Sequence, residues 1–150
     1  MNSYLRLLIV SSALSMVSLV TSGAVRQIHP ATTRDTPDTG VSLVVEGLVR
    51  DVACPMQNHK STATSFNLAC AQACARSGSP LVILTKTGDM YFPISDQMPD
   101  PSQREKLMPY VGKYVRASGT VYRRNGTRTI VIKTITEMKN VKLNTNLGDD

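Results

Sequence analysis

Strict alternation of apolar and polar positions is clearest near the C-terminal end of the chain. Val115, Ala117, Gly119 and Val121 alternate along Lys113–Arg124, and a second β-branched run, Thr127–Ile135, follows. Asn125-Gly126 joins the two runs, the strongest two-residue hairpin signal available. With the register set by that turn, Ala117, Gly119 and Val121 fall opposite Thr134, Ile132 and Ile130. Small residues facing β-branched ones suit a narrow barrel interior.

Three further strands precede this hairpin. Val41–Val52 is β-branched and apolar, with Gly47 where a barrel strand bends or bulges. Leu81–Thr85 and Met90–Ile94 are joined by the turn sequence Lys86-Thr87-Gly88-Asp89. Between the first and second strands, Cys54–Ser65 reads as a polar loop. A helix over Phe66–Arg76 then follows, capped by Thr64 or Ser65 and ended at Ser77-Gly78. Between the third and fourth strands, Asp100 as N-cap, Pro101 at the first helical position and Gln103 open a short helix that fades by Pro109. The chain is therefore expected to be mainly β. Its architecture is a five-stranded OB-like barrel with a Cys-bearing helical insertion after strand 1 and a helix between strands 3 and 4. An SH3-like barrel would not place a helix there.

The N-terminus departs from this pattern. Leu7–Val20 is an uncharged, mostly apolar run of 14 residues behind Arg6, and Thr21-Ser22-Gly23-Ala24 supplies the small residues of a signal-peptidase site. As a helix that run rises about 21 Å, short of a hydrocarbon core of roughly 30 Å, so no transmembrane segment is expected in the mature chain. Residues 1–24 are thus read as a signal peptide, 25–40 as a flexible leader, 41–142 as the barrel domain and 143–150 as a polar tail. Secretion, into a bacterial periplasm, is the expected localisation.

Composition adds two points. The 150 residues carry 17 Lys+Arg against 11 Asp+Glu, a net charge of +6, and the excess is uneven. Residues 104–142 hold ten basic side chains and only Glu105 and Glu137 as acids, so one part of the domain favours an anionic partner or surface. Arg123 faces Arg128 across the hairpin, an unfavourable like-charge pair. With Arg116, Arg124 and Lys133 these form a candidate anion site for nucleic acid, acidic glycan or anionic membrane surface. Tyr122 and Tyr114 are placed to stack on bases or sugars. The bland alternative is a solvated hairpin tip.

The second point is three cysteines, Cys54, Cys70 and Cys74, with His59 in the intervening loop. Cys70 and Cys74 are four apart and share a helical face. If the helix packs over the end of the first strand, Cys54 joins them. Three sulfurs and one imidazole satisfy a tetrahedral zinc site, or a copper(I) site with Met56 as an extra soft donor. The alternative is a structural disulfide from Cys54 to Cys70 or Cys74, contributing on the order of 2–4 kcal/mol in an oxidising compartment. No C-x-x-C dithiol, Ser/His/Asp set, phosphate loop or paired catalytic carboxylates can be assembled, so an enzyme is not expected.

Glu46-Gly47-Leu48-Val49-Arg50-Asp51-Val52-Ala53-Cys54, then Cys70-Ala71-Gln72-Ala73-Cys74 with Gly78 and Pro80, then Val111-Gly112-Lys113-Tyr114-Val115 together resemble a family of small secreted bacterial proteins. Its pattern is G-x-V-x-D-x-x-C, H-x-x-C-A-x-x-C-x-x-x-G-x-P and a late V-G-K-x-V strand, and the likeness covers about residues 43–138. The resemblance implies an OB-like fold and no particular activity. Where the pattern places His three residues before the first helical Cys, this chain has Asn67, so a His/Cys₃ set here would draw its nitrogen from His59. The function expected is a non-enzymatic binding or scaffold module, its cysteine cluster closed by a disulfide or by zinc or copper.

Overall fold

The computed structural model describes residues 39–148. The signal segment 1–24, residues 25–38 of the leader, and Asp149 and Asp150 lie outside the described residues. Five strands, β1 (Val41–Asp51), β2 (Leu81–Leu84), β3 (Met90–Pro93), β4 (Tyr114–Arg124) and β5 (Thr127–Glu137), close a barrel in the order β1-β2-β3-β5-β4. β3 and β5 run parallel and the other pairs antiparallel. Helices α1 (Ala53–Gln57) and α2 (Leu68–Arg76) form the insertion between β1 and β2, and α3 (Arg104–Leu107) lies between β3 and β4. The protein is thus a mainly β, closed five-stranded barrel of OB-like order. Among the described residues, no helix is long and apolar enough to cross a membrane.

The strand pattern explains two cores. Val45 and Val49 of β1 join Ile83, Val115, Ala117, Val121, Ile130 and Ile132 in the barrel interior, and Leu107 of α3 packs with them. The intervening Leu48 points the other way, as period two requires. It packs with Ala63, Phe66, Ala71, Leu84 and Tyr114 in a second cluster beneath the insertion. β1 is therefore buried on both faces from Gly47 to Asp51. Two small residues on one face of α2, Ala71 and Ala75, are fully covered, which lets that helix lie close against the barrel.

Four local features differ from the sequence reading. The stretch after β1 is not all loop: Ala53–Gln57 is helical, so Cys54 sits on α1 rather than at a strand end. The cap of α2 is Asn67, whose Oδ1 accepts from Cys70 N at 2.9 Å. Thr64 and Ser65 do not cap it, because Ser65 pairs with Asn144 as an isolated bridge. Asp100 is drawn into the preceding turn, where its Oδ1 accepts from Ser95 N at 2.7 Å, and the helix begins later at Arg104. The hairpin register holds from Arg124↔Thr127 to Gly119↔Ile132, then slips. Lys133 is the extra residue of a bulge, and Ala117 faces Ile135 instead of Thr134. A Cβ on Gly119 would lie 2.0 Å from Val131 O, so the bulge needs a residue without one.

The polar stretch after Leu143 runs back over the insertion. Phe66 N donates to Asn144 O, Leu68 N to Thr145 O, Asn144 N to Thr64 O and Leu147 N to Phe66 O.

Candidate metal centre

Three elements converge on the cysteine cluster. Asp51, the last residue of β1, is fully buried and accepts from Cys54 N at 2.8 Å through Oδ2, which fixes the first turn of α1. Asn67 fixes the first turn of α2 in the same way and presents Cys70 and, one turn on, Cys74. Cys54 Sγ then lies 3.1 Å from Cys70 Sγ and 3.9 Å from Cys74 Sγ. All three sulfurs fall within 4.8 Å of one another. The alignment that sequence spacing anticipated for these three residues is present.

His59 is not brought to the cluster. It stands exposed in a turn held by the Asn58 N to Cys54 O and Lys60 N to Asn58 Oδ1 bonds. Met56 is 72% exposed on α1. Among the described residues, no histidine or carboxylate completes the three-sulfur group. The donor set is purely soft.

The surroundings favour the neutral form of two thiols, Cys54 and Cys74. Burial pushes the Cys54 thiol well above its ordinary range, and its contacts with Cys70 and the Asp51 carboxylate push the same way. Burial also raises Cys74. A thiol is neutral until it ionises, so loss of solvation and a nearby negative charge both oppose the thiolate.

Sequence reasoning missed the residue behind the cluster. Arg50 is 1% exposed, with Nη2 3.4 Å from Asp51 Oδ1, Nη1 bonded to Ser61 Oγ, and its guanidinium stacked 5.7 Å from the Phe66 ring centre. Its Nε is buried without a partner. The signal was available: period two puts Arg50 on the same face as Leu48, the face the insertion covers. A cavity of about 300 Å³ opens beside the cluster, walled by Arg50, Asn58, Ser61, Asn67 and the cysteines Cys54 and Cys70.

The basic residues sit elsewhere, on β4 and β5. Arg123 does face Arg128 and Arg124 faces Thr127. Arg116 is paired with Glu46 of β1 at 2.6 Å, and Arg128 with Asp89 at 3.1 Å. Lys133 is exposed on the bulge. Arg116 and Arg128 are thus already matched by carboxylates. The chain matches no protein-family model, no curated protein and no solved structure.

Proposed function

We propose that the protein is a non-enzymatic metal-binding barrel domain of the periplasm, in which Cys54, Cys70 and Cys74 hold one soft cation, copper(I) or zinc(II). The observation that supports this reading is the third thiol. A disulfide needs two cysteines, whereas here three sulfurs from two helices share one locus. Tetrahedral zinc thiolates place sulfurs about 3.8 Å apart, given Zn–S bonds of about 2.3 Å. The Cys54–Cys74 separation of 3.9 Å already matches that edge, and the Cys54–Cys70 separation of 3.1 Å has only to open slightly. Thiolates alone suit copper(I) or zinc.

The shorter Cys54–Cys70 approach favours a second reading, a disulfide between that pair with Cys74 left as a thiol. Thiol titration with elemental analysis, on protein purified from the periplasm without chelator or reductant, separates the two. Three metal-protected thiols with one equivalent of zinc or copper are expected, and both Cys70→Ser and Cys74→Ser should lose the metal. One titratable thiol and no stoichiometric metal would establish the disulfide.

A further inference from the structure

We propose that the cavity beside Cys54 and Cys70 binds a small anionic thiol, whose sulfur completes the coordination of zinc held by the cluster and whose carboxylate is taken by Arg50. The inference rests on the metal reading above. Three sulfurs leave one tetrahedral position unfilled: the nearby Asp51 carboxylate is engaged by Cys54 N and Arg50, and among the described residues no carboxylate or imidazole groups with the three sulfurs. Two of the three ligands, Cys54 and Cys70, form part of the cavity wall, so that position is reachable from outside. The cavity, at about 300 Å³, is sized for a ligand of a few heavy atoms.

The rest of the wall selects the other end of that ligand. Arg50 is held rigid by the Phe66 ring, Ser61 and Asp51, yet its buried Nε has no partner. A buried donor left unmatched is costly, and a guanidinium matches a carboxylate with two parallel bonds. Asn58, Ser61 and Asn67 add neutral polar groups to the same wall. On binding, the ligand thiol releases its proton to solvent as its sulfur replaces water on the metal, and no electron changes hands.

The charge balance makes the proposal demanding. Metal-bound thiolates and Asp51 are both negative, so without Arg50 the site would reject an anion in favour of a neutral thiol. The test uses full-length mature protein loaded with cobalt(II) in place of zinc, and reads the d–d and sulfur-to-metal bands. Mercaptoacetate and 2-mercaptoethanol are titrated in turn. Mercaptoacetate is expected to bind at least tenfold more tightly. Arg50→Lys, which keeps the charge but not the fork, should remove most of that preference. Because Arg50 is buried and its replacement can impair folding, Asn58→Asp serves as a second variant. It keeps the acceptor for Lys60 N, adds a negative charge to the wall, and should also abolish the preference.

Equal affinities for the two thiols, or a preference for the neutral one, would overturn this inference and leave the metal site standing. A preference unchanged in both variants would overturn the role of Arg50. Failure of cobalt and zinc to bind at all would overturn this inference, and failure of copper(I) as well would overturn the metal reading.

Discussion

The protonated state of the cluster predicts a steep pH dependence of metal affinity. Cys54 and Cys74 have thiols raised by burial, so near neutrality each carries a proton that metal binding must expel. An ordinary thiol, titrating near 8.5, is protonated near neutrality as well, so a three-thiolate site expels about three protons and its apparent association constant rises about 1000-fold per pH unit, about 4 kcal/mol. Competition against a chromophoric chelator between pH 6.5 and 7.5 measures this slope. Calorimetry in two buffers of different ionisation enthalpy counts the protons independently. A slope below one in the unaltered protein would mean that the thiols are already ionised, and would refute the electrostatic argument. The metal-free protein should behave oppositely. Cys54 and Cys74 titrate higher folded than unfolded, so their contribution to stability is fully present below the unfolded thiol value of about 8.5 and is lost as pH rises above it. Alkali should therefore lower Tm without metal.

Other expectations are independent of metal. Gly119→Ala should cost about 3 kcal/mol, the upper range for overpacking, because its Cβ meets the backbone oxygen of Val131 at 2.0 Å; a melting curve reads this directly. Arg104 of α3 donates to Ser79 O at 2.8 Å and also to Ala75 O at the end of α2. Arg104→Ala should then destabilise by about 2 kcal/mol in urea and speed hydrogen exchange in α2. On the basic face, Arg116→Ala and Arg128→Ala each remove one member of an exposed ion pair, so each should change stability by less than about 1 kcal/mol. If that face binds anions, heparin retention should fall steeply with salt and weaken further in Arg123→Ala; flat, salt-insensitive retention would exclude it.

The barrel was legible because its signals are local. The Asn125-Gly126 turn, the alternation along β4 and the capable helix former between β3 and β4 each act over a few residues. What stayed hidden depended on distant partners. α1 contains Pro55 and has no side-chain cap of its own; its first turn is fixed by Asp51, which belongs to the preceding strand. Asn67 could be seen as a poor metal ligand, but not as the cap that orients Cys70. Ser65 was a plausible cap until Asn144 claimed it from the far end of the chain. The Lys133 bulge leaves no mark in the alternation before it. The alternation of β1 puts Arg50 on the face of Leu48, but that Phe66 and Ser61 cover the guanidinium depends on residues 11 and more positions away. The three cysteines converge because α2 does pack over the end of β1, the one tertiary condition that spacing required.

The pairing of residues 144–147 with 64–68 carries a consequence for the order of assembly. In an unstructured chain, the Asn144–Ser65 contact closes a loop across 79 positions. Once β1 and β5 are in the barrel, only the stretches from Asp51 to Ser65 and from Glu137 to Asn144 remain to be closed. Loop-closure entropy scales with the logarithm of length, so prior barrel formation cuts this cost by about 1 kcal/mol. The clamp over the insertion is thus a late and separately reversible step. Its amides should exchange before those of β4 and β5, and the cysteine locus can loosen while the barrel stays shut.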